Sequence, residues 1–274
     1  MRFKKTLICV LSALSFSPAF SQSDDFGIWT SLGAEKKLVN NLSVEAGFEF
    51  RSADNLDVVS RWGGSLGLNY KVAKFLKLSA GYAYLYDQNP LESKVNYNKK
   101  GEINGYNVDQ AYWQSKHRAY FDVTGSKKVG RFKFSLRERY QYTRFVETEC
   151  DRDRYRDERL PGYGGDIFVW NGQEFMSCES VVNTKQAKDK HIFRTRAKIE
   201  YNIPKCPLNP YISYELSNDL SDQLDLDKTR LIVGTEWKLT KKHIFTIGYL
   251  YQHGTDGEHE GGRHVLDLGY KFNF

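Results

Sequence analysis

Residues 263–274, at the end of the chain, repeat with a period of two and constrain the fold more than any other stretch. Polar or small residues occupy every second position, at Asp267, Gly269, Lys271 and Asn273. A period of two places the two sets on opposite faces of a β-strand. The other face is apolar and consists of Leu266, Leu268, Tyr270, Phe272 and Phe274. Such a strand fits the edge of a soluble sandwich or a wall between lipid and a polar interior.

Composition favours the second of these environments. Aromatic residues make up 15% of the chain, yet the mean hydropathy is −0.60. A helical membrane protein needs about 20 consecutive apolar residues for each span, which conflicts with that average. In a barrel only every second strand residue contacts lipid, so a polar average is expected.

The closing segment, with its terminal Phe274, resembles the C-terminal signature of outer-membrane β-barrels of Gram-negative bacteria. In those proteins the barrel-assembly machinery recognises the last strand, so Leu266, Leu268, Tyr270, Phe272 and Phe274 are the predicted assembly signal. We therefore predict an all-β chain that forms a transmembrane, antiparallel, up-and-down barrel in contact with outer-membrane lipid.

The first residues predict export. A basic start, Met1–Lys5, precedes a short apolar run and the small residues of 17–21. This order is typical of a secretory signal peptide, and the run is too short to span a bilayer. We place the signal peptide at residues 1–21, which removes Cys9, and a single barrel domain at 22–274. The predicted location is the cell outer membrane.

The barrel domain contains eleven segments with the two-residue alternation. They are 26–38, 42–51, 58–70, 76–86, 112–123, 132–144, 193–201, 211–216, 230–239, 245–251 and 263–274. Bacterial single-chain barrels have an even number of strands. We therefore expect 10–12 strands and favour twelve, with one crossing hidden in the first segment or in a long link. Glu138 interrupts an apolar face, which indicates a position near the membrane interface or a β-bulge.

Short and long links alternate along the chain, as in barrels with short periplasmic turns and long extracellular loops. Residues 125–130 and 217–227 are predicted to be a turn and a polar link. Residues 88–109 are predicted to be a loop, and 147–190 a long extracellular insertion. The insertion carries aromatic residues that would either form an exposed adhesive patch or pack the loop over the barrel mouth: Tyr155, Tyr163, Phe168, Trp170 and Phe175.

Charged residues occupy the polar face of the predicted strands and are expected to point into the lumen. They are Glu45, Glu49, Arg51, Arg61, Arg118, Arg137, Arg139, Arg194, Arg196, Lys198, Glu200, Arg230 and Glu236. Mixed signs allow an interior ion-pair network that fills a narrow barrel. The same residues would also form a basic stripe that guides anions through a pore. Because Lys and Arg are interleaved with Asp and Glu along the whole chain, we expect no nucleic-acid partner.

Cysteine and histidine residues suggest two further sites. Cys150 and Cys178 flank the insertion, so we predict a disulfide between them and a free Cys206, although three pairings are possible. Three His and three acidic residues cluster between 253 and 264. This cluster would suit a hydrolase site at the extracellular rim, but it has no Ser and no catalytic motif. We predict no metal and no cofactor, with His253 and His259 as weak metal candidates against a solvated loop.

Short motifs across the mature chain extend the resemblance from barrels in general to one family. They are Trp29-Thr-Ser-Leu, Glu49-Phe-Arg51, Arg61-Trp62, Leu66-Gly-Leu68, Gly81-Tyr-Ala-Tyr84 with Asp87, Lys116-His-Arg118 and Arg137-Glu-Arg-Tyr140. With them the chain resembles a Bacteroidota family of outer-membrane barrels known as domain of unknown function 2490. The resemblance implies a fold and a location and brings no activity. We predict a non-enzymatic, porin-like narrow pore or structural barrel for small solutes, anions among them. The alternatives are a rim hydrolase and surface binding through 147–190.

Overall fold

The computed structural model describes residues 25–158, 165–254 and 261–274, and these residues form β-structure throughout. The predicted signal peptide, Cys9, Tyr163 and His259 lie outside the described residues. Among those that are described, no helix is long and apolar enough to cross a membrane. The elements of the described residues are all β-strands.

Eleven of the described strands close into one barrel. They are β1 (Asp25–Val39), β2 (Leu42–Ala53), β3 (Val58–Ala73), β4 (Leu76–Asn89), β7 (Tyr112–Val129), β8 (Phe132–Phe145), β13 (Lys188–Tyr201), β14 (Leu208–Asp219), β15 (Asp225–Lys238), β16 (His243–Gly254) and β17 (Gly261–Asn273). Each coincides with one of the eleven segments predicted from alternation. The predicted all-β barrel of 10–12 strands is confirmed.

The barrel closes between its first and last strands, which run parallel. The register extends from Asp25 opposite Arg263 to Glu35 opposite Asn273, whereas the other barrel pairs are antiparallel. An odd number of sequentially paired strands requires one parallel pair at the seam. The favoured count of twelve is therefore wrong for the described residues, because the first and last strands pair directly.

Most barrel strands are longer than the segments predicted from alternation. The backbone hydrogen bonds between strands continue beyond the residues that alternate between apolar and polar. The predicted turn at 125–130 is wrong except at Gly130, because β7 continues to Val129, which pairs with Phe132. Gly130 takes the left-handed φ of 58° that this two-residue turn requires. No bulge occurs at Glu138, which stays in register and accepts a 2.6 Å hydrogen bond from Thr195.

Four barrel strands continue past one rim as a separate sheet. Its strands are β5 (Glu92–Tyr97), β6 (Ile103–Asp109), β9 (Thr148–Arg156) and β12 (Ser177–Lys185), in the order β12-β9-β6-β5. A two-stranded hairpin, β10 (Phe168–Trp170) and β11 (Gln173–Phe175), lies between β9 and β12. The prediction of a loop at 88–109 is therefore wrong, and much of 147–190 is ordered. We call this four-stranded unit the rim sheet and its side of the barrel the long-link end.

The outer face of the barrel wall is apolar. Every barrel strand from β1 to β16 exposes at least one large apolar side chain on it, and examples are Leu32, Phe48, Leu66, Tyr82, Phe121, Leu136, Ile199, Ile212, Val233 and Ile247. Leu66 is 62% exposed and Leu32 is 55% exposed. Because side chains alternate across a strand, the residues between them point inward. The polar core of the molecule is thus its lumen.

Candidate functional site

The lumen is the candidate site, and the structure brings together the charged residues predicted to point into it. All thirteen lie on the strand face opposite the exposed apolar residues. They form ion pairs and hydrogen bonds with one another and with four inward residues that the prediction did not include: Asp87, Lys116, Asp122 and Glu215.

Near the long-link end, Arg61 connects two carboxylates. It donates two hydrogen bonds of 2.6 Å each to Asp87 and lies 3.5 Å from Glu49. Lys116 approaches Asp87 at 2.9 Å, and Arg51 approaches Glu49 at 3.1 Å. Two carboxylates here neutralise three cations, so the group keeps an excess of positive charge.

At mid-height, one carboxylate serves four arginines. Arg137 lies 2.8 Å from Glu215 and Arg230 lies 3.2 Å from it, and both donate hydrogen bonds. Arg194 and Arg196 lie farther away, each at 3.9 Å. Glu215 is 4% exposed, so this group is buried inside the barrel. A single negative charge cannot neutralise four guanidinium groups, which leaves an attractive position for another anion.

Arg139 and Arg118 contrast in their partners. Arg139 is neutralised by Asp122 through two hydrogen bonds of 2.6 and 2.7 Å. Arg118 donates one 3.4 Å hydrogen bond to Thr143, and in the described part of the chain it forms no ion pair. Arg61 and Arg194 lie close enough to repel its charge, and Glu49 lies close enough to attract it. The charge of Arg118 is therefore only partly compensated in the lumen.

The short-turn end pairs lysines with glutamates. Lys198 lies 2.6 Å from Glu236 and 3.5 Å from Glu200. Elsewhere on the wall, Lys271 bridges Glu35 at 2.8 Å and Glu45 at 3.0 Å. Each of these lysines is shared by two carboxylates, in contrast to the arginine-rich middle.

Arginines outnumber the carboxylates around them in the middle and upper lumen. Eight described arginines point inward there, namely Arg51, Arg61, Arg118, Arg137, Arg139, Arg194, Arg196 and Arg230, and the carboxylates near them are Glu49, Asp87, Asp122, Glu215, Asp227 and Asp267. Lys116 adds further positive charge beside Asp87. The lumen therefore combines an ion-pair network with an excess of positive charge.

Below the arginines lies a cavity of about 370 Å³. Its wall includes Gly33, Gly47, Gly63 and Gly269, which leave the strand backbone uncovered. Tyr120, which also lines the cavity, fills the space over Gly81 on the adjacent strand β4, because a Cβ on Gly81 would clash with the Tyr120 hydroxyl. Glycines at inward positions thus leave space in the lumen. A neighbouring side chain fills that space at Gly81, and the space stays open as a cavity at the other glycines.

Trp29 packs into the upper lumen with Leu250 and Val265. Arg51 lies 3.9 Å and Arg230 lies 5.2 Å from its ring centroid, within cation–π range. This contact places two arginines from β2 and β15 beside one ring. It also narrows the upper lumen.

Residues that the prediction missed followed detectable signals. Asp87 comes one residue after the predicted segment 76–86, and continuing the alternation would have assigned it inward. Asp122 and Glu215 lie inside predicted segments at inward positions. The sequence does not show that Glu215 is shared, because that depends on which strands meet across the barrel.

The strands of the rim sheet are tied together through Asp109, which is 1% exposed. Arg152 donates two hydrogen bonds to this carboxylate, at 2.5 and 2.9 Å, and Lys185 lies 2.7 Å from it. The hydrogen bonds from Arg152 lower the pKa of Asp109 to about 2, with Lys185 acting in the same direction. The buried carboxylate is therefore ionised at neutral pH and joins β6, β9 and β12.

The predicted disulfide between Cys150 and Cys178 is absent, and Cys206 is also free. Cys178 lies opposite Tyr155 and Cys150 opposite Asn183 in the β9–β12 pair. The two thiols are thus offset by five positions, roughly 17 Å along a strand, whereas disulfides need Cα atoms within about 7 Å. The prediction treated the insertion as a loop, and the strand register overturns it.

The other predicted sites are only partly described. His253 is exposed on the outer face of β16, and His264 forms a hydrogen bond with Tyr249. Among the residues that the structure covers, no group of three or more His, Cys, Asp or Glu could hold a metal. The rim hydrolase and the metal candidate His259 stay predictions.

Aromatic residues of the insertion pack against the rim sheet. Tyr155 stacks on Trp170 at 5.6 Å and contacts Phe175 at 5.5 Å, and Phe175 also meets Tyr106 at 5.8 Å. Phe175 is 3% exposed. These rings stabilise the insertion rather than forming an open patch.

A comparison with known protein families gives a match over most of the chain. The family model described as "Protein of unknown function (DUF2490)" matches residues 26–261, from β1 to the start of β17, and these residues include the rim sheet. No curated protein matches the chain.

Proposed function

From the premise that the chain belongs to the DUF2490 family, we propose that it is an outer-membrane β-barrel whose lumen is a narrow passage that prefers small anions. The proposal has three parts, which are the membrane location, the passage and the sign of the preferred charge. A separate feature of the structure supports each part.

The apolar outer wall supports the membrane location. Burying apolar surface away from water contributes roughly 25 cal/mol per Å², so a barrel-wide apolar band favours contact with lipid. Aromatic rings cluster at both ends of this band, as in membrane barrels. At the long-link end Tyr86 lies 4.9 Å from Trp113, and at the short-turn end Phe245 lies 4.9 Å from Tyr270. The short turns would face the periplasm, with the final strand as the signal for the assembly machinery.

The cavity below the arginines supports a passage. Its polar lining of glycine, serine and charged residues differs from the apolar core of a closed structural barrel. Trp29 and the ion pairs keep it narrow, so the solutes would be small. A barrel sealed by the same network is the alternative that a conductance measurement would reveal.

The single observation that carries the anion preference is the sharing of Glu215 by four arginines. Rings of Arg and Lys select anions in pores because a confined space with low dielectric strengthens their field. Within the described residues the middle lumen has no second carboxylate that approaches all four. Excess positive charge therefore lies in the middle of the lumen, on the route that a solute would take.

Planar-bilayer recording under a KCl gradient tests the proposal. We expect a reversal potential with the sign of the chloride equilibrium potential. In the Arg196→Gln variant this potential should shift toward zero. The Arg144→Gln variant, which removes a charge from an exposed pair with Asp189, is a matched control and should leave the potential unchanged. A cation preference, or no conductance from correctly folded protein, would contradict the proposal. Surface binding through 147–190 stays a prediction.

A further inference from the structure

Arg118 differs from the other lumen arginines because it lines a cavity and has no ion-pair partner among the described residues. The cavity has a volume of about 370 Å³, and the only hydrogen bond of Arg118 in the described residues leaves most of its N–H groups unused. Arg139 also lines the cavity, but Asp122 neutralises it. A guanidinium presents five donors in a planar fork that matches a carboxylate. Glu49 offsets only part of the repulsion that neighbouring arginines exert on Arg118, so a bound anion would stabilise this position.

The remaining walls narrow the chemistry of that anion. Hydroxyl groups of Ser31, Ser65 and Thr246 line the cavity, and the intervening glycines allow a ligand to approach closely. Glu45 and Glu49 also line the cavity, and Glu49 lies close enough to Arg118 to attract its charge. These carboxylates accept hydrogen bonds from hydroxyl groups and repel a second negative charge. The site therefore suits one carboxylate at one end and hydroxyl groups at the other.

Size adds a further limit. Small-molecule sites commonly have volumes of about 300–1,000 Å³, and this cavity is at the lower end of that range. A monosaccharide-sized molecule fits that space, whereas an oligosaccharide does not.

We propose that the cavity binds a monoanionic, hydroxylated carboxylate of monosaccharide size, held by a two-hydrogen-bond pair between its carboxylate and Arg118. This inference rests on the proposed anion passage for its access route and names the class of solute. Binding at equilibrium does not require that the solute passes through, so the two proposals can fail separately.

Calorimetric titration of the detergent-solubilised full-length barrel tests the site with four probes. They are galacturonate (a monoanion), galactose (neutral), galactarate (a dianion) and inorganic phosphate. We expect galacturonate to bind at least about tenfold more tightly than the other three probes, since a charge-assisted pair is formed without a second repelled charge. Equal affinity for galactose and galacturonate, or no heat with galacturonate, would overturn the proposal.

Two variants separate charge from space. Arg118→Gln should weaken galacturonate binding about tenfold or more, and Arg118→Lys should recover only part of it, because Lys has no planar fork. Gly33→Val should block binding without changing charge, since a Cβ there meets no atom closer than 3.7 Å and the barrel can still fold. Arg144→Gln is the control on the outer wall. Heat-modifiable gel migration verifies that each variant is folded.

Bilayer recording then distinguishes a failure of the proposed binding site from a failure of the proposed passage. Galacturonate binding without conductance would retain the site and remove the passage. Anion conductance without galacturonate binding, in wild type and variants alike, would retain the passage and remove the site. Unchanged binding in both Arg118→Gln and Gly33→Val would place the ligand elsewhere and overturn the inference.

Discussion

The guanidinium of Arg61 on β3 and the carboxylate of Asp87 on β4 form two parallel hydrogen bonds of 2.6 Å each inside the barrel. Their side chains are 16% and 7% exposed. Removing one partner of a buried pair leaves an uncompensated charge and costs more than the pair itself contributes. Asp87 also holds Lys116, so its loss would leave two cations.

Asp87→Asn is therefore expected to destabilise the barrel by about 3–5 kcal/mol. The measurement is the urea concentration at which half of the protein has lost the gel mobility of the folded barrel, in electrophoresis of unheated samples. The midpoint of the variant is compared with that of the wild-type protein. Arg144→Gln removes half of an exposed pair, so we expect a change below about 1 kcal/mol. Equal midpoints for Asp87→Asn and wild type would show that the Arg61–Asp87 pair does not stabilise the barrel.

The sequence predicted the barrel strands because each wall residue faces one of two different environments. Alternation in stretches such as Leu42–Arg51 and Leu76–Tyr86 records that contrast directly. The rim sheet gave no such signal, since polar residues occupy both of its faces in β9. A strand with the same environment on both sides has no period to detect. Its strands were therefore interpreted as loop.

Closure and the shared site were not predictable from local patterns. Whether β1 meets β17 depends on the number of strands in between, and no residue of β1 encodes it. The alternation assigned Arg137, Arg196 and Arg230 to the lumen, but three different strands carry them. The register of β14 with β13 and β15 places Arg196 and Arg230 opposite Glu215. The pairing of β13 with β8 then places Arg137 beside Arg196. Alternation within one strand predicts the face of a residue, whereas its partners depend on the register between strands.

The parallel seam makes a direct test of the strand count possible. Ser31 on β1 lies opposite Gly269 on β17, and a Cβ on Gly269 would lie 3.2 Å from the Ser31 hydroxyl. With the three other mature cysteines replaced by Ser, the double variant Ser31→Cys/Gly269→Cys should form a disulfide on mild oxidation. Non-reducing peptide mapping detects it. A barrel with a further strand between β1 and β17 would keep these thiols apart and leave them reduced.

A second cross-link tests the register of the rim sheet. Cys150 is opposite Asn183, and their side chains lie 3.8 Å apart. Asn183→Cys should therefore form a disulfide with Cys150, whereas the wild-type protein should show three free thiols after the signal peptide is removed. Mass spectrometry after alkylation distinguishes the two states. A Cys150–Cys178 link in wild type would contradict the register and restore the pairing predicted from sequence.

Acid is expected to open the rim sheet at Asp109. Arg152 on β9 and Lys185 on β12 hold the carboxylate, Asn183 donates to it at 3.3 Å, and Lys185 also contacts Glu92 on β5. The pKa of Asp109 falls from 3.8 to about 2 in the folded protein. A lowered folded pKa contributes stability that is present above the unfolded pKa and is lost as pH falls through the folded one.

The stability contributed by ionised Asp109 is therefore lost between about pH 4 and about pH 2. The loss in free energy of unfolding amounts to roughly 2 kcal/mol, at 1.36 kcal/mol per pKa unit. The protection factors of amides in β6, β9 and β12, corrected for the intrinsic pH dependence of hydrogen exchange, should fall across this window. An Asp109→Asn variant, whose rim sheet has lost this charge, should exchange faster at pH 6 and change less on acidification. Equal protection of the wild-type rim sheet at pH 5 and pH 2 would show that Asp109 does not hold it closed.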